Sequence, residues 1–298
     1  MRVLITGAGG LVGRALQQHC LAAGDEVLPY DHAALDITNA TLVEECILHQ
    51  KPDAVINCAA WTDVDRCETD SQKAYAVNAH GPQNLARASS KANAAFITIS
   101  TDYVFDGSKP EFYTQRDTPL PISVYGKAKL EGERLVQNEY ARSVIVRTGF
   151  IFGLGGKNFL SRVVDLAREG QSLSAISDAR GTPTYARDLA SRLRELAVKD
   201  LPGTFHVVNS GNGATYEQFA RTALKFAGLD DSVLKVVLTS TLKRPAPRPL
   251  NSRLRCLLSE AIGLQPMPSW EEGLRLFVEE SLTRKSHVRE HQSGAGKT

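Results

Sequence analysis

The sequence predicts an α/β protein: a doubly wound parallel sheet in the first half, then a smaller C-terminal α/β lobe. Three observations predict it. An apolar run, Arg2-Val3-Leu4-Ile5-Thr6, leads directly into a glycine-rich turn and a helical pattern. Strand-length apolar runs then alternate with helix-length amphipathic segments as far as about residue 150, which favours parallel pairing with right-handed crossovers. At Gly153-Leu154-Gly155-Gly156 the pattern changes to shorter, mixed elements.

The first strand is buried by its composition and is expected over 2–6. The turn after it is Gly7-Ala8-Gly9-Gly10-Leu11-Val12-Gly13, and the helix it opens runs to about Ala23. Glycines at Gly7, Gly10 and Gly13 suit a tight turn, a close approach of backbone N–H groups to a pyrophosphate, and close helix–strand packing. Strand, glycine turn and helix together make a Rossmann-like dinucleotide site. The second strand, 26–30, is followed by Asp31, whose carboxylate can accept hydrogen bonds from an adenosine ribose and would repel a 2′-phosphate. That leans towards NADH, tempered by Arg14 and His32. A third strand at 52–57 runs into small residues, Cys58-Ala59-Ala60, at the carboxyl end where open α/β sheets bind ligands. A long helix is expected over 71–91, a fourth strand over 94–99, and then Ser100-Thr101-Asp102 at the same sheet edge. A proline-rich loop, 111–123, precedes a helix over 124–140 and a strand over 143–147.

Beyond residue 150, helices are expected at 158–169, 185–198, 216–227, 253–262 and 270–282, with strands at 173–176, 203–208 and 234–238. The division is therefore 1–150 as the dinucleotide-binding lobe, to which some later segments return, 151–283 as the substrate lobe, and 284–298 as a disordered tail without apolar periodicity.

Composition narrows the function classes. Of the 298 residues 42% are hydrophobic and 23% charged, ordinary for a soluble globular protein. No apolar run approaches the roughly 20 residues of a membrane span, and the N-terminus lacks the features of a signal peptide. The five cysteines are scattered without Cys-x-x-Cys spacing, which favours reduced thiols in the cytoplasm over a disulfide frame or zinc site. A formal net charge of +2 gives no basic face for nucleic acid.

Tyr125 and Lys129 stand four apart on the expected 124–140 helix, so they share a face. An ammonium near a phenol favours the phenolate and is expected to lower the tyrosine pKa from about 10. Such a pair is a usable acid near neutral pH. The spacing alone is common, and a solvated helix face accounts for most such pairs. In the later lobe Arg248 and Arg253 are candidates for phosphate oxygens.

Five segments carry a resemblance. They are Asn57-Cys58-Ala59-Ala60-Trp61-Thr62-Asp63-Val64-Asp65, Ser100-Thr101-Asp102-Tyr103-Val104-Phe105-Asp106-Gly107, Val124-Tyr125-Gly126-Lys127-Ala128-Lys129-Leu130-Glu131-Gly132-Glu133, Gly181-Thr182-Pro183-Thr184 and Arg248-Pro249-Leu250-Asn251-Ser252-Arg253-Leu254. With them the chain resembles the extended short-chain dehydrogenase/reductase family, and within it the dTDP-4-dehydrorhamnose reductases. The resemblance implies NADH or NADPH as cofactor and a nucleotide sugar as substrate. It implies that Gly10, Leu11, Val12, Asp31, Asp36, Ile37, Ala60, Trp61, Thr62, Tyr125 and Lys129 touch the cofactor. Thr101 and Asp102 would touch substrate, with Thr101, Tyr125 and Lys129 catalytic. Phe150 stands where the family usually carries a tryptophan against the sugar nucleotide. Some members bind magnesium through carboxylates at a homodimer interface, but no ligands are assignable in this sequence.

The implied reaction is reduction of the C4 ketone of dTDP-4-dehydro-L-rhamnose. Two other readings stay open. One is a non-catalytic subunit resembling the regulatory subunit of methionine adenosyltransferase. The other is an epimerase or dehydratase of the same superfamily, which would retain its nicotinamide through the cycle.

Overall fold

Arg2–Thr6 form strand β1 because the run is apolar on both faces: Val3 and Ile5 bury against one layer of helices and Leu4 against the other. The computed structural model describes residues 1–294. After β1 come α1 (Leu11–Ala22), β2 (Glu26–Tyr30), α2 (Ala40–Gln50), β3 (Ala54–Asn57), α3 (Val64–Thr69) and α4 (Ser71–Tyr75). A π-helical turn, Ala76–His80, joins α4 to α5 (Gly81–Ala92). Then follow β4 (Ala95–Thr101), a 3₁₀ turn (Asp102–Val104), α6 (Val124–Glu139) and β5 (Val144–Thr148).

The later half holds β6 (Ile151–Phe152), α7 (Phe159–Arg168), β7 (Leu173–Ile176), β8 (Arg180–Gly181), β9 (Thr184–Tyr185) and α8 (Ala186–Lys199). It continues with β10 (Gly203–His206), β11 (Ala214–Thr215), α9 (Tyr216–Phe226), β12 (Leu234–Val237), α10 (Leu257–Ala261) and α11 (Trp270–Gly294).

Six strands form the main sheet in the order β10-β5-β4-β3-β1-β2, all parallel. Helices cover both faces. Leu16 of α1 and Leu189 and Leu193 of α8 pack on one, and Ile47, Leu85 and Val136 of α2, α5 and α6 on the other. Late in the chain, β10 returns to the edge of this sheet and α8 lies against α1. The nucleotide-binding layer therefore draws on residues near 186–206 as well as on the first 150. The smaller lobe has its own core, with Phe152, Phe219, Trp270 and Phe277 at its centre.

Helix α3 and the short strands β6, β8, β9 and β11 were not expected, the helix expected over 253–262 is confined to Leu257–Ala261, and two longer helices also differ from the sequence expectation. The 71–91 helix is interrupted by the π turn, where the buried Asn78 side chain bonds both the N–H and the C=O of Trp61 at 2.9 Å. A polar residue with two backbone partners outside its helix is what accommodates the extra residue in that turn. The last helix, expected to stop near 282, continues to Gly294, so the expected disordered tail is helical backbone to that point. Residues 295–298 of that tail lie outside the described residues.

Candidate active site

The carboxyl ends of β1, β3 and β4 are tied by a buried polar ladder. Thr6 Oγ1 donates to Asn57 Oδ1 at 2.6 Å and Asn57 Nδ2 donates to Thr98 Oγ1 at 3.0 Å. Asn57 Oδ1 also accepts from the Ala59 N–H, which fixes the loop leaving β3. The glycine turn sits against that loop. Gly7 adopts φ +66°, and a Cβ there would lie 2.6 Å from the Ala59 nitrogen. A Cβ on Gly13 would lie 2.3 Å from the Gly7 oxygen. No other residue fits either place, so this cradle suits a dinucleotide pyrophosphate.

Helix α6 begins at Ser123, whose hydroxyl accepts from the Gly126 N–H at 3.1 Å. Its first two turns present Tyr125 and Lys129, 9% and 4% exposed, to the ends of β4 and β5. Lys129 Nζ donates to the Ile99 carbonyl at 2.7 Å. Burial lowers its pKa to about 8, and the Glu133 charge opposes the fall. Tyr125 departs from expectation. Burial pushes its phenol well above the usual range, only partly offset by the Thr101 hydroxyl, and Asp102 and Cys67 push it further up. The ammonium is already given to a carbonyl, so desolvation of the phenolate prevails. Thr101 Oγ1 accepts from the Tyr103 N–H and donates to Asp102 Oδ1, each at 3.1 Å. Asp102 is buried and raised to about 6 by desolvation, although the Ser252 and Thr101 hydroxyls hold it down.

One cavity of about 700 Å³ unites most of the expected residues. Its lining includes Gly10, Leu11, Val12, Ala60 and Thr62 near the glycine turn and the loop after β3, Thr101, Asp102, Tyr125 and Lys129 from β4, the 3₁₀ turn and α6, and Phe150 and Arg248 from later segments. Phe150, at φ +49°, packs against Tyr216 with centroids 4.5 Å apart and the rings tilted by 39°. Arg248 pairs with Asp65 through both carboxylate oxygens, at 3.0 and 2.8 Å.

Several expected residues lie elsewhere. Gly7 and Gly13 shape the turn beneath the cavity. Asp31 caps the Ala34 N–H at 2.9 Å. Asp36 accepts from the Thr38 N–H and hydroxyl, and Ile37 is a core residue, 4% exposed. Trp61 is covered by the Lys73 ammonium, 4.8 Å from the ring. Arg253 is corrected from a phosphate ligand to a strut. Its guanidinium donates to Asn251 Oδ1, Asn212 O and Pro110 O and lies over Phe112, outside the cavity. Arg14, expected to soften repulsion at Asp31, instead donates to the carbonyls of Gly9 and Gly155.

Residues that sequence reasoning missed include Tyr103, Tyr216 and Arg244, which line the cavity. Behind them, the buried Glu133 carboxylate accepts from Ser100 and Arg147, and Ser252 donates to Asp102. A charged residue inside the apolar strand Val144–Thr148 is the one signal that could have exposed the first of these. Among the described residues no three His, Cys, Asp or Glu side chains gather as a metal site, and no helix is long and apolar enough to cross a membrane.

A parallel sheet, a glycine cradle and a tyrosine–lysine pair in one cleft define an extended short-chain dehydrogenase/reductase. The family model for the RmlD substrate binding domain matches residues 1–283. The Bacillus subtilis spore coat polysaccharide biosynthesis protein SpsK is 38% identical over 279 residues, 94% of this chain and 97% of the relative. A Streptomyces griseus dTDP-4-dehydrorhamnose reductase is 36% identical over 279 residues, covering 92% of this chain and 91% of its own. Among solved structures, a dTDP-4-dehydrorhamnose reductase from Bacillus anthracis in complex with NADP superposes with a TM-score of 0.90 at 37% identity, covering 94% of this chain and 99% of that one. The chain belongs to the dTDP-4-dehydrorhamnose reductase family.

Proposed function

We propose that this protein reduces the C4 ketone of dTDP-4-dehydro-L-rhamnose to give dTDP-L-rhamnose with a nicotinamide cofactor. The observation that carries the reading is that Tyr125, Lys129 and Thr101 line one cavity together with the glycine turn and with Phe150 and Arg248. Its glycine end suits the cofactor, and its Phe150–Arg248 end suits a sugar nucleotide. The cofactor, when bound, supplies the hydride. Tyr125 holds its proton through the neutral range because burial disfavours the phenolate, which suits a proton donor to a developing alkoxide. Thr101 presents a hydroxyl beside it to hold the same oxygen. The Lys129 ammonium remains charged below about pH 8 and on this reading holds the cofactor ribose. Phe150 and Tyr216 form an aromatic wall, and Arg244 and Arg248 face the same space with the charge a diphosphate requires.

The cofactor on this reading is NADH or NADPH; the Bacillus anthracis relative was solved in complex with NADP. The reading includes a cytoplasmic enzyme working as a homodimer, without an assigned magnesium site. The test is oxidation of NADH and of NADPH with dTDP-4-dehydro-L-rhamnose, with identification of the product sugar. Tyr125→Phe is expected to bind NADH normally and to lose about 10²–10⁴ of turnover. A variant with near-normal turnover overturns the assignment.

A further inference from the structure

We propose that Glu133, which lies outside the cavity, is the electrostatic positioning residue for Lys129. The proposal rests on the reductase reading for the use made of Lys129. Glu133 follows Lys129 by one helical turn on the same face of α6 and is 5% exposed. Its carboxylate is held on three sides: by the Ser100 hydroxyl at the end of β4, and by Arg147 of β5 through Nε at 3.0 Å and Nη2 at 2.6 Å. Arg147 is itself buried, with its guanidinium over the Phe105 ring at 5.3 Å.

A buried ion pair is a weak contributor to stability, and apolar side chains of like volume would join helix to sheet as well. Its geometry instead fixes the Glu133 carboxylate, against Ser100 of β4 and Arg147 of β5, on the helix face it shares with Lys129. Other ionisable groups come from the elements packed on α6: Asp65, Arg66, Cys67 and Glu68 of α3, Lys73 and Tyr75 of α4, His80 of the π turn, Arg87 and Lys91 of α5, and Asp102 and Tyr103 of the 3₁₀ turn, while Lys127, Glu131, Arg134 and Glu139 share α6 itself. Tyr125 precedes Lys129 on its own helix. Among all these the charge that acts on Lys129 is that of Glu133, and it opposes the desolvation of the ammonium. Arg87 is turned away to Glu139, and Asp102 is occupied by Thr101 and Ser252.

The test is the pH dependence of NADH binding, followed by nicotinamide fluorescence over pH 6 to about 10, alongside the pH profile of turnover. In the unaltered protein both fall as Lys129 loses its proton. Glu133→Gln removes the negative end and uncovers Arg147, so the midpoint is expected to move down by about one pH unit or more. The double variant Glu133→Gln, Arg147→Met leaves no uncovered charge and is the better tolerated of the two. Its midpoint is expected between those of the single variant and the unaltered protein. A midpoint unmoved in both, or one lower in the double variant than in the single, overturns the proposal, since loss of packing alone would give that pattern. If NADH binding shifts as expected while no keto sugar is reduced by the unaltered protein, the substrate reading falls and the role of Glu133 stands.

Discussion

The two ends of the cavity are built by different means. The nucleotide end is made of backbone: a glycine turn, a helix N-terminus and a loop pinned by Asn57, all within the first 60 residues. The proposed sugar end is made of side chains from segments far apart in the chain: Asp65, Phe150, Tyr216, Arg244 and Arg248. Backbone sites tolerate almost no added atoms but need few particular side chains. Side-chain sites can be reshaped one residue at a time, which leaves substrate choice adjustable over a fixed cofactor seat.

The strongest way to break this contrast is at Gly13. A methyl group there would lie 2.3 Å from the Gly7 oxygen and 2.8 Å from the Ala8 Cα, so the turn must move. Overpacking of this kind costs about 1–3 kcal/mol of stability. A displacement of about 1 Å in a binding cradle can cost about a hundredfold. Gly13→Ala is therefore expected to weaken NADH binding by about a hundredfold while leaving binding of dTDP, the nucleotide portion of the substrate, near normal. Titration of each ligand checks it. Equal loss of both would mean that the two ends are one mechanical unit.

The opposite experiment sharpens the contrast. Arg248→Met removes a guanidinium from the sugar end and leaves Asp65, which is partly exposed, to be solvated. Loss of a charged hydrogen bond is worth about 1.5–3 kcal/mol. The KM for the sugar nucleotide is expected to rise about tenfold or more, with the dissociation constant for NADH unchanged. A shift in NADH affinity of the same size would show that Arg248 acts through the Asp65 helix on the cofactor loop.

The same division explains what could be read from the sequence. The glycine turn and the strand–helix alternation are local, so spacing placed them, whereas the Tyr125–Lys129 spacing needed the surrounding segments to single it out. The sugar end was seen only in part. Nothing local distinguishes Arg248, which faces the cavity, from Arg253, which braces Phe112 and three oxygen acceptors. Tyr216 opens a helix through a Thr215–Gln218 capping box, so its neighbourhood reads as a helix start and gives no hint of a wall. The direction of the Tyr125 shift was also hidden, because helical spacing shows a neighbouring ammonium but not the depth of burial or the Ile99 carbonyl that accepts its hydrogen bond. The return of β10 to the main sheet is long-range pairing, which no window of sequence contains.

The smallest effect lies where the two ends meet. Asp102 adjoins Thr101 and receives the Ser252 hydroxyl from the late segment of the chain. Its pKa in the folded protein is raised to about 6 from 3.8, so folding favours the protonated carboxyl. The stability this contributes is fully present below about pH 4 and is lost as pH rises through 6. At pH 8 the protein carries an ionised carboxylate in a desolvated place. Asp102→Asn removes that charge. Its amide oxygen can accept one hydroxyl, while the other hydroxyl turns to accept from the amide nitrogen. The melting temperature of the variant relative to the unaltered protein is therefore expected to be a few degrees more favourable at pH 8 than at pH 5, even as turnover falls. Thermal melts at the two pH values decide it. An equal difference at both would mean that Asp102 is solvated like an ordinary surface carboxylate, and that the junction of the two ends is open to water.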